Sequence, residues 1–238
     1  KKEKEFCDNK YKMAMRSYSA EEQIERLGIG CILEENSDMR VLDIGCGEDP
    51  ILVDYLLSKG IESMGVDPRL GKEGMHYIKK EIRSTLPGIR SLELSAQSYD
   101  LVVAHQNDSL QIALSCFSET SFLRWMWGKD YEMYMENARN GAEAIIPEML
   151  RVAKKDGIIV IQPGLDLMEQ KMKSIIYPEG WSVQHKEAEG VEPSDGIISF
   201  GSSFGSSFED CSTSVLYRTI LYTNQLREKF KGVVDTSK

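Results

Sequence analysis

The segment VLDIGCGEDP, residues Val41–Pro50, decides the fold. Its first part, up to Ile44, is a mostly apolar run that is typical of a strand buried in a parallel sheet. Gly45 and Gly47 follow at once, and glycines at this spacing permit a sharp turn and let a ligand lie against bare backbone.

A helix is predicted directly after this turn. Pro50 suits the first turn of a helix, and Asp49 is placed to cap it. Apolar residues then recur with helical spacing in the segment Ile51–Leu56. A strand, a glycine turn and a helix N-terminus together form the geometry that holds a nucleotide or nucleoside at the carboxyl edge of a sheet.

A second strand is predicted over residues Ile61–Val66, after Gly60 ends the helix. Asp67 stands at the end of this strand, where an acid is placed to bind a ribose. A carboxylate suits this task because two hydroxyl donors need two acceptor oxygens.

The glycine pattern alone fits NAD, FAD or S-adenosylmethionine. A dinucleotide fingerprint has a third small residue in the turn, where this chain has Pro50. The turn also carries Glu48 and Asp49, which would repel a pyrophosphate but tolerate a cation or the ammonium of an amino acid. These features favour S-adenosylmethionine over a dinucleotide.

The residues Val41–Gly47 resemble the first motif of the class I S-adenosylmethionine-dependent methyltransferases, and Met64–Pro68 resembles their second motif. The entry to the predicted fourth strand, Ser98–Ala104, and the helix-to-strand passage Arg151–Ile161 are similar to later elements of the family. The resemblance covers about residues 36–165. It implies an α/β, doubly wound, mostly parallel seven-stranded sheet with the last strand antiparallel, that is, a Rossmann-like methyltransferase fold. We expect one such domain over residues 1–238.

The resemblance also implies S-adenosylmethionine as the cofactor. Asp67 would hold its ribose, the Gly45–Gly47 backbone would meet the methionyl and ribose part, and Asp43 would anchor the amino end, directly or through water. The family commonly binds the adenine amine with an acid or amide after the third strand, where this chain has Glu81–Arg83. The residues expected to bind the cofactor are Asp43, Gly45, Cys46, Gly47, Asp67, Pro68, Arg83 and Ala104.

The predicted fourth strand ends in the polar residues 105–108. Carboxyl ends of central strands are where ligands bind in open parallel sheets, so His105 and Asp108 are the candidate catalytic residues, as general base toward an acceptor hydroxyl or amine. The alternative is that they cap the next helix, with Asp108 as N-cap. The stretch lacks the Asn-Pro-Pro-Tyr or Asp-Pro-Pro-Tyr arrangement that family members use on nucleobases or glutamine.

Two segments are candidates to cover the substrate. Residues 115–140 are predicted to be an aromatic-rich insertion, which is either a substrate lid or a core helix or dimer contact. Residues 1–35 are expected to form an N-terminal helical lid, with a capping box at Ser19–Glu22. Tyr11 and Tyr18 would line this lid or simply pack its helix.

The carboxyl half should complete the sheet. A helix is predicted over Asn140–Val152. Basic residues in its last turn and a glycine after it, within 151–157, are expected to end the helix before a strand at Ile158–Ile161. Later strands at Trp181–Lys186 and Ser214–Tyr222, joined by a glycine- and serine-rich loop, resemble the family's terminal antiparallel hairpin.

Composition limits the function classes. The 238 residues carry a net charge of −9, so a bulk basic field for nucleic acid is absent. Five cysteines without Cys-x-x-Cys spacing fit reduced thiols in the cytoplasm and give no metal signature. No apolar run long enough for a membrane span and no signal peptide is visible.

We therefore expect an enzyme, a cytoplasmic methyltransferase with a small-molecule acceptor, or in second place a protein acceptor. The rival classes are an NAD(P)-dependent oxidoreductase and a non-catalytic module that keeps the fold to hold a partner. The identity of the acceptor and the oligomeric state are left open by the sequence.

Overall fold

A computed structural model describes residues 18–80, 82, 93–105, 132, 144–162, 181–187 and 217–223 of the chain. In chain order its elements are α1 (Ala20–Leu27), α2 (Gly30–Glu35), β1 (Arg40–Ile44), α3 (Ile51–Ser58), β2 (Glu62–Val66), β3 (Tyr77–Ile78), β4 (Tyr99–His105), α4 (described over 144–152), β5 (Ala153–Gln162), β6 (Trp181–Glu187) and β7 (Tyr217–Thr223).

The described strands form one seven-stranded sheet in the order β3-β2-β1-β4-β5-β7-β6. The pairs β1–β2, β2–β3, β1–β4 and β4–β5 are parallel, whereas β7 runs antiparallel to both β5 and β6. The prediction of an α/β fold with a mostly parallel sheet is confirmed.

Strand β1 lies inside the sheet, between β2 and β4, and its apolar residues Val41, Leu42 and Ile44 are all buried, as is typical of an interior strand of a parallel sheet. Asp43 pairs with Gly65 of β2 on one side and with Val103 of β4 on the other. This register brings the carboxyl ends of three neighbouring strands to one edge of the sheet, which is where a ligand binds in an open parallel sheet.

Two hydrophobic clusters cover the two faces of the sheet. Val41 belongs to a cluster that also contains residues of α1, α2 and α3, such as Leu27 and Leu52. Leu42, the next residue along β1, belongs to a second cluster that contains Met149 of α4. Successive strand residues point to opposite faces, so α1, α2 and α3 pack on one face and α4 packs on the other.

Helix α1 begins with the predicted capping box. The backbone N–H of Glu22 donates to Oγ of Ser19 at 3.2 Å, and the backbone N–H of Ser19 donates to Oε2 of Glu22 at 2.8 Å. The helix ends at Gly28, whose φ of 63° lies in the left-handed region that glycine adopts without strain. These local signals fix both ends of α1.

The predicted cap of α3 is wrong. The residue in the N-cap position is Pro50, and no side chain caps the helix. Asp49 contributes its backbone instead, because its carbonyl oxygen accepts a hydrogen bond from the N–H of Ile51 at 2.8 Å.

Helix α4 ends at Val152 as predicted, but the predicted start of the next strand is wrong. Strand β5 begins at Ala153 rather than at Ile158, so the glycine expected after the helix lies within the strand. Lys154 pairs with Asp100 of β4, with Nζ and Oδ1 2.8 Å apart. The register between β4 and β5 shifts after Tyr99, so the extra strand residues are accommodated there. Cross-strand pairing thus overrides the helical propensity of this basic segment.

Several predicted features lie wholly or largely outside the described residues, namely residues 1–17 of the lid with Tyr11, the insertion at 115–140 except residue 132, and the loop between β6 and β7. The lid and insertion therefore stay predictions. None of the helices in the described ranges has the length and apolar character needed to cross a membrane.

Candidate functional site

The turn after β1 has the shape that its glycines predict. Gly45 and Gly47 have φ angles of 85° and 82°, which side-chain-bearing residues rarely adopt. The N–H of Gly45 donates to the carbonyl oxygen of Val66 at 2.7 Å, which ties the turn to the end of β2. Gly45, Cys46 and Gly47 are all partly exposed, so a ligand can approach their backbone.

Asp67 follows β2 and is joined directly to this turn. Its Oδ2 accepts a hydrogen bond from the N–H of Gly47 at 3.0 Å. Its Oδ1 accepts one from the backbone N–H of Arg69 at 2.7 Å. The carboxylate is only 2% exposed, whereas the next residue, Pro68, is exposed. The structure therefore brings the predicted acid and the predicted glycine turn together.

Asp43 is the second carboxyl group at this edge, and it is also 2% exposed. Among the described residues, none donates a hydrogen bond to its Oδ1. Burial, and secondarily the nearby charge of Asp67, raises the pKa of Asp43 from 3.8 to about 7. Such a group becomes ionised readily when a cation is placed beside it.

Cys46 packs against Gly65 of β2, which has no side chain. A Cβ atom added to Gly65 would lie 2.7 Å from Sγ of Cys46 and 3.1 Å from Cγ2 of Val53. Burial, followed by the charges of Asp43 and Asp67, raises the pKa of the Cys46 thiol far above its usual range. Cys46 is therefore a neutral packing group in the turn and not a nucleophile.

The carboxyl ends of β4 and β5 form the neighbouring part of the site. His105 pairs in register with Gln162, and both are buried. The ring of Tyr18 meets the His105 ring edge to face at 5.2 Å, and the guanidinium of Arg26 lies over the Tyr18 ring at 4.1 Å. Tyr18, which precedes α1, and Arg26, which lies within it, thus come close to the end of β4.

This environment determines the protonation of His105. Burial, and then the positive charge of Arg26, lowers the pKa of His105 to about 3. No described residue forms a hydrogen bond with its Nε2. The imidazole is neutral at physiological pH and can accept or donate one hydrogen bond at that nitrogen.

The structure describes only some of the remaining predicted site residues. The methyl group of Ala104 packs in the core cluster that covers the α4 face. Asp108 and Arg83 lie outside the described residues. In the described part of the chain, no group of three or more His, Cys, Asp or Glu side chains is arranged to hold a metal ion.

Sequence reasoning missed four residues of this site: Arg26, Gly65, Arg69 and Gln162. Gly65 could have been noticed as a glycine inside a strand, which marks a close approach of another group. Arg26 lies in a charged helix, and nothing in its sequence neighbourhood marks it as a residue that is 2% exposed. The contacts of Arg69 and Gln162 depend on side-chain placement that no local pattern encodes.

Comparisons with known proteins give structural similarities only. No protein-family model matches the sequence, and no curated protein matches it either. The chain is similar to the crystal structure of the plantazolicin methyltransferase BpumL in complex with a triazolic desmethylPZN analog and SAH, at 13% identity and a TM-score of 0.46, covering 93% of this chain and 91% of that chain.

It is also similar to a SAM dependent methyltransferase from Archaeoglobus fulgidus, at 16% identity and a TM-score of 0.40, covering 85% of this chain and 94% of that chain. A further similarity is to the PH0226 protein from Pyrococcus horikoshii OT3, at 14% identity and a TM-score of 0.40, covering 90% of this chain and 99% of that chain. At such low identities the function has to be inferred from the residues of this chain.

Proposed function

We propose that this protein is an S-adenosylmethionine-dependent methyltransferase that acts on a small-molecule acceptor. The observation that carries the proposal is the placement of two buried carboxyl groups, Asp43 and Asp67, around the Gly45–Gly47 turn. When bound, S-adenosylmethionine supplies a methyl group that its positively charged sulfur makes reactive. The protein then has to bind the cofactor and the acceptor, align them, and exclude water.

Asp67 would hold the ribose. A carboxylate has about four lone-pair positions on its two oxygens, and backbone N–H groups take one on each. One position on each oxygen is therefore suited to a ribose hydroxyl. The exposed neighbour Pro68 and the turn residue Cys46 would border the same sugar.

Asp43 would anchor the amino end of the methionyl group. Its Oδ1 is buried and has no donor among the described residues, and an ammonium group supplies both a donor and a positive charge. Glu48 and Asp49 are exposed in the turn, where two negative charges disfavour a pyrophosphate. The site therefore fits a cationic nucleoside better than a dinucleotide.

The acceptor would bind at the carboxyl end of β4, beside His105 and Tyr18. A neutral imidazole with a pKa of about 3 takes up a proton poorly, but its Nε2 can hold an acceptor hydroxyl or amine by a hydrogen bond. We assign His105 this orienting role in the catalytic step. Asp108 would be the proton acceptor, and Arg83 and Ala104 would be further contacts of the cofactor. The segment 115–140 would cover the acceptor.

Calorimetric titration with S-adenosylhomocysteine and, separately, with NADH tests the cofactor assignment. We expect the first compound to bind and the second not to bind. Binding of NADH alone would refute the proposal in favour of an oxidoreductase.

Methyl-labelled S-adenosylmethionine, added together with a metabolite extract, tests the acceptor. Label in the small-molecule fraction supports the proposed acceptor class, and label only in the protein fraction replaces it with a protein acceptor. Cofactor binding without any transfer in either fraction would support a non-catalytic binding module.

A further inference from the structure

We propose that Arg69 is a positioning residue that competes with the ribose for the carboxylate of Asp67, so that the sugar binds only when the guanidinium moves away. The inference rests on the proposed function for the identity of the ribose. Neither the motif pattern nor the resemblance assigns a role to Arg69.

The contacts of Asp67 fall into two sets. Two backbone donors form short hydrogen bonds, the N–H of Arg69 to Oδ1 at 2.7 Å and the N–H of Gly47 to Oδ2 at 3.0 Å. The Arg69 guanidinium forms two longer ones, from Nε to Oδ1 at 3.3 Å and from Nη2 to Oδ2 at 3.5 Å. Each carboxylate oxygen therefore accepts one backbone donor and one guanidinium donor.

The guanidinium uses the same acceptor capacity that a ribose needs. A carboxylate has about two lone-pair positions on each oxygen, and on each oxygen of Asp67 the backbone takes one of them. The second position on each oxygen is bound by Arg69. The 2′- and 3′-hydroxyls of a ribose are also a pair of neighbouring donors, so they and the guanidinium compete for the same two positions.

The guanidinium is the partner that can move. The side chain of Arg69 is 47% exposed, whereas that of Asp67 is 3% exposed. The backbone on both sides of the contact is held, because the Arg69 N–H bonds to Asp67 and the N–H of Gly71 donates to the carbonyl oxygen of Glu48 at 3.0 Å. A side-chain rotation is therefore sufficient to release the carboxylate.

The competition is expected to be modest, because a half-exposed ion pair with long hydrogen bonds contributes little. Replacing Arg69 by methionine keeps the aliphatic stem and removes the competing donors. The expected gain in affinity for a ribose-containing ligand is about two- to fivefold.

The experiment is a calorimetric titration of adenosine and of 2′,3′-dideoxyadenosine into the wild type, Arg69→Met and Lys72→Met. Lys72 is a matched control, because it is a cation in the same loop whose ammonium pairs with Asp54 and not with Asp67. We expect Arg69→Met to bind adenosine about two- to fivefold more tightly than the wild type does. We expect both proteins to bind the dideoxy compound with the same affinity. We expect Lys72→Met to match the wild type with both ligands.

An adenosine affinity of Arg69→Met that equals or falls below that of the wild type would overturn the proposal. So would an equal gain for the dideoxy compound, because that ligand lacks the competing hydroxyls.

A wild type that binds neither adenosine nor S-adenosylhomocysteine would refute the proposed function, and Arg69 can still be tested in that case. Its Nε–H resonance, assigned by its loss in Arg69→Met, should exchange with water more slowly in the wild type than in Asp67→Asn. Equal exchange rates would overturn the competition, since the guanidinium would then not be bound to Asp67.

Discussion

Replacing Asp43 by asparagine should make the protein more stable at high pH while it weakens cofactor binding. Asp43 is buried, its Oδ1 has no donor among the described residues, and its pKa is raised from 3.8 to about 7. The folded protein therefore holds the Asp43 proton more tightly than the unfolded chain does. Its contribution to stability is complete at low pH and is lost as the pH rises toward and through about 7.

The size of the effect follows from the raised pKa. A shift of one unit corresponds to about 1.4 kcal/mol, so the wild type loses about 3–4 kcal/mol through Asp43 between about pH 4 and about pH 8. Asparagine does not titrate and is free of this loss. The free energy of unfolding of the variant, measured relative to the wild type, should therefore increase by about 3–4 kcal/mol over this pH range.

Urea unfolding of both proteins at a series of pH values measures this difference, and the contributions of titrating groups that do not interact with Asp43 cancel in it. Asp54→Asn is a control of opposite sign. The pKa of Asp54 is lowered despite some burial, because its carboxylate accepts hydrogen bonds from Lys72 and Tyr77. Its loss should cost more stability as the pH rises to its ordinary pKa of 3.8 and somewhat beyond, and a constant amount at higher pH.

Parallel curves of stability against pH for the wild type and Asp43→Asn would refute the reasoning. They would mean that Asp43 ionises normally in the folded protein, and the buried carboxyl group would then not be poised for a cation.

Three further substitutions test other parts of the site and fold. Asp67→Ala should weaken S-adenosylhomocysteine binding by about 1–3 kcal/mol in calorimetry, because it removes charged hydrogen bonds; unchanged affinity would end its ribose role. Gly65→Ala should destabilise the fold by about 1–3 kcal/mol, since the new methyl group meets Cys46 Sγ at 2.7 Å. Gly30→Ala is the control, because the closest atom to its new methyl group is 3.7 Å away. A melting temperature of Gly65→Ala equal to that of the wild type would contradict the close packing. Ser19→Ala should cost about 1 kcal/mol of stability through loss of the capping box in urea unfolding, and a neutral result would show that the cap does not matter.

The parts of the site that the sequence predicts are those determined by local pattern. The strand, glycine turn and helix around Gly45 and Gly47 depend on neighbouring residues and on backbone angles that glycine alone adopts easily. The meeting of Asp67 with this turn follows from the parallel pairing of β1 and β2, which the spacing of the two strands already indicates.

The parts that could not be predicted depend on contacts between distant residues. Strand β5 begins earlier than expected, and its early residue Lys154 pairs with Asp100, 54 residues away in the chain. Asp49 failed as a cap because its backbone, rather than its side chain, bonds to the start of α3. Arg26 reaches the Tyr18–His105 pair through tertiary packing, which no periodicity encodes.

The most direct test of the central claim is a crystal structure of the protein grown with S-adenosylhomocysteine. We expect both ribose hydroxyls within hydrogen-bonding distance of the Asp67 carboxylate and the amino group of the ligand beside Oδ1 of Asp43. A structure in which the nucleoside binds away from the Gly45–Gly47 turn, or in which Asp67 keeps the Arg69 guanidinium and does not contact the sugar, would contradict the account.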